Sequence, residues 1–344
     1  MVQARAIGRF LSERGANVQF ASQQNVRPKG WDCAVLFNVG LDPTVLLSER
    51  CRRIGLPYIL FPVFWDLASA VPMDHRRALS RLLPAGSARR RAAARLRVAF
   101  VQVPRGDVRS SALLFRKSDP KLVGTVLAGA LAVCPNSIAE AEHLSVYTGH
   151  KQDERWHVVR NGIWPDELPA KVPWLDRRTE VLCLGAFSPR KNSLTLVRAA
   201  REAGVTLRIV GQRRDKLDGY ARRAMAMTGG SVIVEGFRRR EEVLALLAST
   251  RAHAQVGFAE TPGLATLEAV ALGTSAVVGS TPVVKEYLPH GVWSVDPTSV
   301  ESVANGLSCA LYTPPAVDLA EEVRSNYSWA TVLKPLTTLL GLRQ

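Results

Sequence analysis

Two spacings of apolar residues alternate along the chain. Ala4, Ile7, Phe10 and Leu11 recur at helical intervals, which predicts a helix over 3–14 that Gly15 ends. Residues 17–21 then read as a strand, 32–38 as a second, 43–54 as a helix closed by Gly55, and 57–61 as a third strand. The apolar run 122–134 contains two glycines and reads as a helix end followed by a strand over 130–134. Pro135, Asn136 and Ser137 cap a helix over 138–147 with Gly149 behind it, and 157–160 reads as a further strand. Beyond a proline-rich linker (Pro165, Pro169, Pro173) the rhythm is regular. Strands are expected at 180–184, 205–210, 231–234, 252–257, 275–278 and 292–295, alternating with helices at 191–203, 216–227, 240–248, 262–272 and 299–311. Strand–helix alternation of this kind predicts parallel sheets with right-handed crossovers, an α/β chain of doubly wound domains.

Length and composition fit two domains: 344 residues, 47% apolar and 22% charged. No apolar run reaches the ~18–20 residues of a membrane span, and the N-terminus carries no signal-peptide apolar segment. The five cysteines are scattered without metal-ligand spacing, so a reduced cytoplasmic compartment and no metal are expected. The net charge of +15 alters this picture. Eight arginines and no acid lie between Arg76 and Arg97. No nucleic-acid motif or interleaved aromatics accompany them, so nucleic acid is not the expected partner. A solvated face or peripheral contact with an anionic membrane surface is.

Candidate chemistry concentrates at 258–278, F-A-E-T-P-G-L-A-T-L-E-A-V-A-L-G-T-S-A-V-V. Seven residues separate Glu260 from Glu268. The pattern predicts a loop carboxylate at a helix N-terminus and a second carboxylate two turns along that helix. Free amides and the positive dipole end suit a phosphate, and a carboxylate accepts from sugar hydroxyls. Phosphate, ribose and a reacting sugar together describe a nucleotide sugar. The preceding segment G-A-F-S-P-R-K-N at 185–192 places Arg190 and Lys191 at a helix start. Cations there oppose the dipole, which predicts a bound anion.

The spacing Glu260-x7-Glu268 within E-T-P-G-L-A-T-L-E-A-V-A-L-G resembles the signature of retaining GT-B glycosyltransferases of the family 4 kind, the group 1 glycosyl transferases. The resemblance implies two Rossmann-like domains facing across a cleft. The acceptor-side domain would span 1–165 and be joined by a closing helix over 325–344; the family's first strand and glycine-rich loop do not precede the helix over 3–14, which implies either a start further upstream or a domain without that strand. The donor-binding domain would span 166–324. It also implies sugar transfer from a nucleoside-diphosphate sugar to an acceptor hydroxyl with retention, in polysaccharide or glycolipid biosynthesis, with no cofactor beyond the donor substrate. Glu260 and Lys191 are the implied catalytic residues. Arg190, Lys191, Gly263 and Leu264 would hold the diphosphate, Glu268 the ribose, and Gly211, Phe237 and Arg238 would line the nucleobase side. Trp65 and Asp66 are acceptor-side candidates for a carbohydrate or lipid-linked acceptor, where relatives place a histidine. Ala186 stands where relatives often have an arginine, and Arg190 is the expected substitute. A non-catalytic homologue acting as a binding or scaffolding subunit is the alternative, favoured by Ala186, the absent histidine and the missing first strand and opposed by both glutamates.

Overall fold

A computed structural model describes residues 2–21, 30–40, 42–65, 119–211, 219–260, 263–316 and 318–342. Contacts divide these into two compact units, one holding the described residues up to Asn161 and those from Val332, the other Gly162–Thr331.

In the first unit, α1 (Val2–Ser12) is followed by β1 (Ala34–Phe37), α2 (Asp42–Arg53), β2 (Tyr58–Phe61), α3 (Pro120–Ala128), β3 (Ala132–Val133) and α4 (Ile138–Thr148). The strands form a parallel sheet in the order β1-β2-β3. All four residues of β2 are buried, as a central parallel strand covered on both faces requires. Residues 17–21 do not form the expected strand. No ladder partner meets them among the described residues, and Phe20 instead lies on Gly8 of α1, where a side chain would overlap its ring. Residues 157–160 are not a strand either, although His157 N–H donates to Val133 O (2.9 Å) and Val159 N–H to Pro135 O (2.9 Å).

The second unit follows its periodicity closely. It comprises β4 (Arg178–Leu184), α5 (Ser193–Glu202), β5 (Leu207–Val210), α6 (Gly219–Met225), β6 (Val232–Glu235), α7 (Arg240–Ser249), β7 (Thr250–Gln255), α8 (Leu264–Ala271), β8 (Ser275–Gly279), α9 (Pro282–Tyr287), β9 (Trp293–Val295), α10 (Val300–Tyr312) and α11 (Leu319–Asn326). The sheet is wholly parallel in the order β6-β5-β4-β7-β8-β9. Successive residues of β4 feed opposite layers. Val181 joins a core with α5, α6 and α10, and Leu182 joins one with α7 and α8. The chain closes in α12 (Trp329–Val332) and α13 (Pro335–Leu339), two short helices where one closing helix was expected, with Pro335 opening the second. α13 belongs to the first unit. Among the described residues no helix is long and apolar enough to cross a membrane, and no cluster of metal-ligating side chains occurs.

Candidate functional site

The strand order of the second sheet reverses between β4 and β7. Open parallel sheets bind ligands outside the carboxyl ends of the strands at such a point. Two loops meet there, 185–192 after β4 and 256–263 after β7. The first leaves β4 through Gly185 (φ 144°). A Cβ on Gly211, after β5, would overlap the Gly185 carbonyl, so Gly211 serves loop packing. Asn192, buried at φ 54°, anchors the turn by donating Nδ2–H to Val256 O (3.1 Å) and Pro297 O (2.6 Å). Phe258 N–H donates to Arg190 O (3.1 Å), and Arg190 Nη1 returns a bond to Ala259 O (3.2 Å).

This zipping fixes the charges. Arg190 and Lys191 lie in the turn before α5, whose first residue is Ser193, and not in the helix itself. Their anion comes from the protein: Glu260 Oε1 is 2.9 Å from Lys191 Nζ and 3.3 Å from Arg190 Nη1. Glu260 is only 4% exposed, and a buried carboxylate requires partners of this kind. Gly257 makes the room, because a Cβ there would stand 2.6 Å from Glu260 Oε1 and 2.9 Å from Arg190 O. Two cations share one carboxylate, so the cluster keeps a net positive charge and can still attract an anion.

Beside the cluster, α8 opens at Gly263 (φ 64°), where only a residue tolerant of the left-handed region fits. Among the described residues, the amides of Gly263, Leu264 and Ala265 find no acceptor. They form the expected anion-receptive helix end. Beneath Gly263 lies a buried polar trio that the sequence did not announce. His253 Nδ1–H donates to Leu182 O (3.0 Å), and burial pushes its pKa down to about 4, which keeps the ring neutral. Its Nε2 is 3.3 Å from the Thr266 hydroxyl, which is 3.2 Å from Gln255 Oε1. The Gln255 amide fills the place of a Gly263 side chain, so the trio dictates the glycine.

Glu268, on the buried face of α8, pairs with Arg240 at the start of α7 (2.7 Å), and Arg240 also approaches Glu167 (3.6 Å). Burial pushes the Glu268 carboxyl upward and Arg240 opposes that rise. Near the end of β6, Arg238 pairs with Glu235 (2.9 Å), while Phe237 is exposed. Lys191, Arg190, Glu260, Gly263 and Leu264 thus gather around the switch point. Glu268 and Arg238 are engaged in ion pairs of their own.

Residues 166–326 match the family of Glycosyl transferases group 1. No curated protein matches the chain. By fold it is similar to sucrose-phosphate synthase of Thermosynechococcus elongatus, with TM-score 0.65 at 15% identity over 91% of this chain and 73% of that one. HepE of Anabaena, solved in complex with UDP and glucose, is similar with TM-score 0.59 at 16% identity, covering 90% of this chain and 99% of that one. A UDP-forming α,α-trehalose-phosphate synthase of Burkholderia xenovorans is similar with TM-score 0.59 at 14% identity, covering 93% and 75%. The chain has the GT-B fold, an α/β architecture of two Rossmann-like domains with parallel sheets. The residues that match the glycosyl transferase family include the whole cluster around Glu260.

In the first unit, Trp65 is half-buried after β2 and stacks on His143 (ring centroids 5.0 Å). Asp66, its partner candidate, lies outside the described residues, as do Thr261, Pro262 and the arginine run 76–97. The loop leading to Trp65 is held by Glu140 of α4. This fully buried carboxylate accepts from Phe64 N–H and Asn136 N–H, both at 2.6 Å. Burial raises its pKa to about 7 against the two N–H donors that lower it. The fold therefore favours the protonated form. Its contribution to stability is fully present below the ordinary carboxylate pKa of about 4.5 and is lost as pH rises through about 7. His253, held neutral by burial, gives an opposite trend over much of the same range, so the contribution of Glu140 is read as the difference between the parent and Glu140→Gln. Unfolding free energy of the parent relative to Glu140→Gln should fall between about pH 4.5 and 7, by up to about 1.4 kcal/mol per pH unit, and equal slopes in the two proteins would show that Glu140 contributes nothing.

Proposed function

We propose that the protein transfers a sugar from a nucleoside-diphosphate sugar to an acceptor hydroxyl, with retention at the anomeric carbon. The observation carrying this reading is the meeting of Lys191, Arg190, Glu260 and the free amides of Gly263 and Leu264 at the switch point. The family match and the UDP and glucose bound by HepE support a nucleotide-sugar donor. In the reaction the bond from the anomeric carbon to the diphosphate breaks and a bond to the acceptor oxygen forms. The acceptor's proton goes to the departing diphosphate. Lys191, Arg190 and the two amides take the diphosphate charge, and positioning and electrostatic stabilisation do the work. Glu268 holds the ribose, and Gly211, Phe237 and Arg238 lie toward the nucleobase. Trp65 and Asp66 lie on the acceptor side, and the acceptor is a carbohydrate or a lipid-linked one. No metal or other cofactor is invoked. A cytoplasmic location with peripheral contact to anionic lipid through the run 76–97 is proposed from charge and cysteine usage alone.

A non-catalytic binding subunit is the second reading, favoured by the engagement of Lys191 and Arg190 with one protein carboxylate and by Ala186. Hydrolysis of a donor sugar by the purified protein separates the two. The binding site itself is tested first by thermal shift with nucleoside diphosphates, where ligand at 100 times its dissociation constant adds about 2.7 kcal/mol. Lys191→Ala should then weaken the nucleoside diphosphate by about 10- to 150-fold and leave the nucleoside nearly unaffected, because one charge-assisted bond is worth about 1.5–3 kcal/mol. Equal losses in calorimetry would place Lys191 away from phosphate.

A further inference from the structure

We infer that Arg240 is a positioning residue for nucleotide recognition: it locks one oxygen of Glu268 so that the other faces the ribose hydroxyls, and it thereby sets the preference for ribose over deoxyribose. The inference rests on the reading of Glu268 as the ribose acceptor.

Glu268 sits on α8 and is 5% exposed. Its Oε1 takes Arg240 Nη1 at 2.7 Å, while Oε2 accepts no hydrogen bond from a described residue. The Glu268 side chain keeps 7% of its surface exposed. A carboxylate with one oxygen tied and one open presents a fixed acceptor, and a ribose hydroxyl is a donor of matching kind. Without Arg240 the same side chain would be a buried charge with no cation, and it would turn or take up a proton.

The placement of Arg240 is costly by local rules. It is the first residue of α7, where the amide dipoles favour an acid, and Arg238 and Arg239 precede it. The neighbours are compensated from nearby in the chain: Arg238 by Glu235 (2.9 Å), and Arg239 by Glu242 (3.8 Å). Arg240 alone reaches to other elements, to Glu268 of α8 and to Glu167 before β4. Its second acidic neighbour, Glu167, lies 3.6 Å from Nε while Glu268 meets Nη1, so two different nitrogens of the guanidinium face carboxylates. A cation that only balanced charge would not need to leave one carboxylate oxygen open.

The test uses the whole protein and the diphosphates of uridine, guanosine and adenosine, followed by the 2′-deoxy form of the tightest. The parent should bind the ribonucleotide more tightly by about tenfold, the value of one hydrogen bond to a charged group. Arg240→Met should bring that ratio to about two or less, and Arg240→Lys should restore part of it. Glu268→Gln should lower the ratio as well. If the parent discriminates and Arg240→Met keeps or enlarges the full ratio while weakening both nucleotides, Arg240 only balances charge and the inference is wrong. If the parent binds both nucleotides equally, Glu268 does not hold the ribose and the inference falls with that reading. Should Arg240→Met fail to fold, the lysine variant decides: a ratio identical to the parent's, with both affinities reduced, overturns the inference.

Discussion

Glu260→Gln is expected to lower kcat by at least about a hundredfold, roughly 2.7 kcal/mol, and to tighten the binding of inorganic pyrophosphate. Both effects follow from one carboxylate facing two cations. In the proposed transfer, positive charge grows at the anomeric carbon as the diphosphate leaves. A carboxylate beside that carbon interacts more strongly with the transition state than with the bound donor, and interactions of that kind raise turnover. Gln keeps the shape and removes the charge. The pyrophosphate effect comes from the unliganded structure, in which Glu260 Oε1 already occupies Lys191 and Arg190. An incoming diphosphate must compete with it. Without that negative charge the two cations meet the anion unopposed, for a gain of roughly 1 kcal/mol or about fivefold. Single-turnover kinetics give the first quantity, and calorimetry with pyrophosphate gives the second without needing a donor sugar. Intact turnover would remove Glu260 from the chemistry. Unchanged or weaker pyrophosphate binding would mean that anions bind elsewhere.

Arg177→Met is expected to cost about 3 kcal/mol or more of stability. Arg177 is buried, and among the described residues no carboxylate faces it. Its guanidinium donates to Val172 O (2.8 Å), Leu272 O (2.7 Å), Gly273 O (2.8 Å) and Thr274 Oγ1 (2.9 Å). Three of those acceptors close the C-terminal end of α8, where unpaired carbonyls and the negative dipole end favour a cation. Burial pushes the Arg177 pKa down, but the dense set of acceptors keeps the charge useful. Met fills a similar volume and offers no donor, so those acceptors become buried and unpaired, at about 1–3 kcal/mol each before relaxation. For a unit of this size the midpoint of thermal unfolding should drop by about 6–12 °C. A drop below about 2 °C would show that water replaces the side chain. The same helix carries Glu268 and the free amides at its other end, so a loosened α8 should also weaken nucleotide binding.

Local patterning made most of the second unit legible. Helical and strand periods, a cap and a glycine stop are properties of neighbouring residues, and the six expected strands formed β4–β9 with boundaries displaced by a residue or two. α9 and α11 escaped the periodicity, the former because Pro282–Tyr287 spans little more than one turn. In the first unit the expected strand over 17–21 did not form, because a strand exists only where a neighbour supplies its hydrogen bonds, and that depends on the rest of the sheet.

The site divides the same way. The residue types near the switch point are legible along the chain: two glutamates eight positions apart, two adjacent cations, and a glycine opening a helix. Two cations side by side at a helix start also call for an anion. Which anion meets them depends on folding, because Glu260 lies 70 residues from Arg190 and reaches it through the adjacency of β4 and β7. The pairing of Arg240 with Glu268 and the trio of His253, Gln255 and Thr266 under Gly263 belong to the same class. Each depends on which strand ends lie side by side. Strand order is set by packing of the whole sheet, and the periodicity of any single segment carries no record of it.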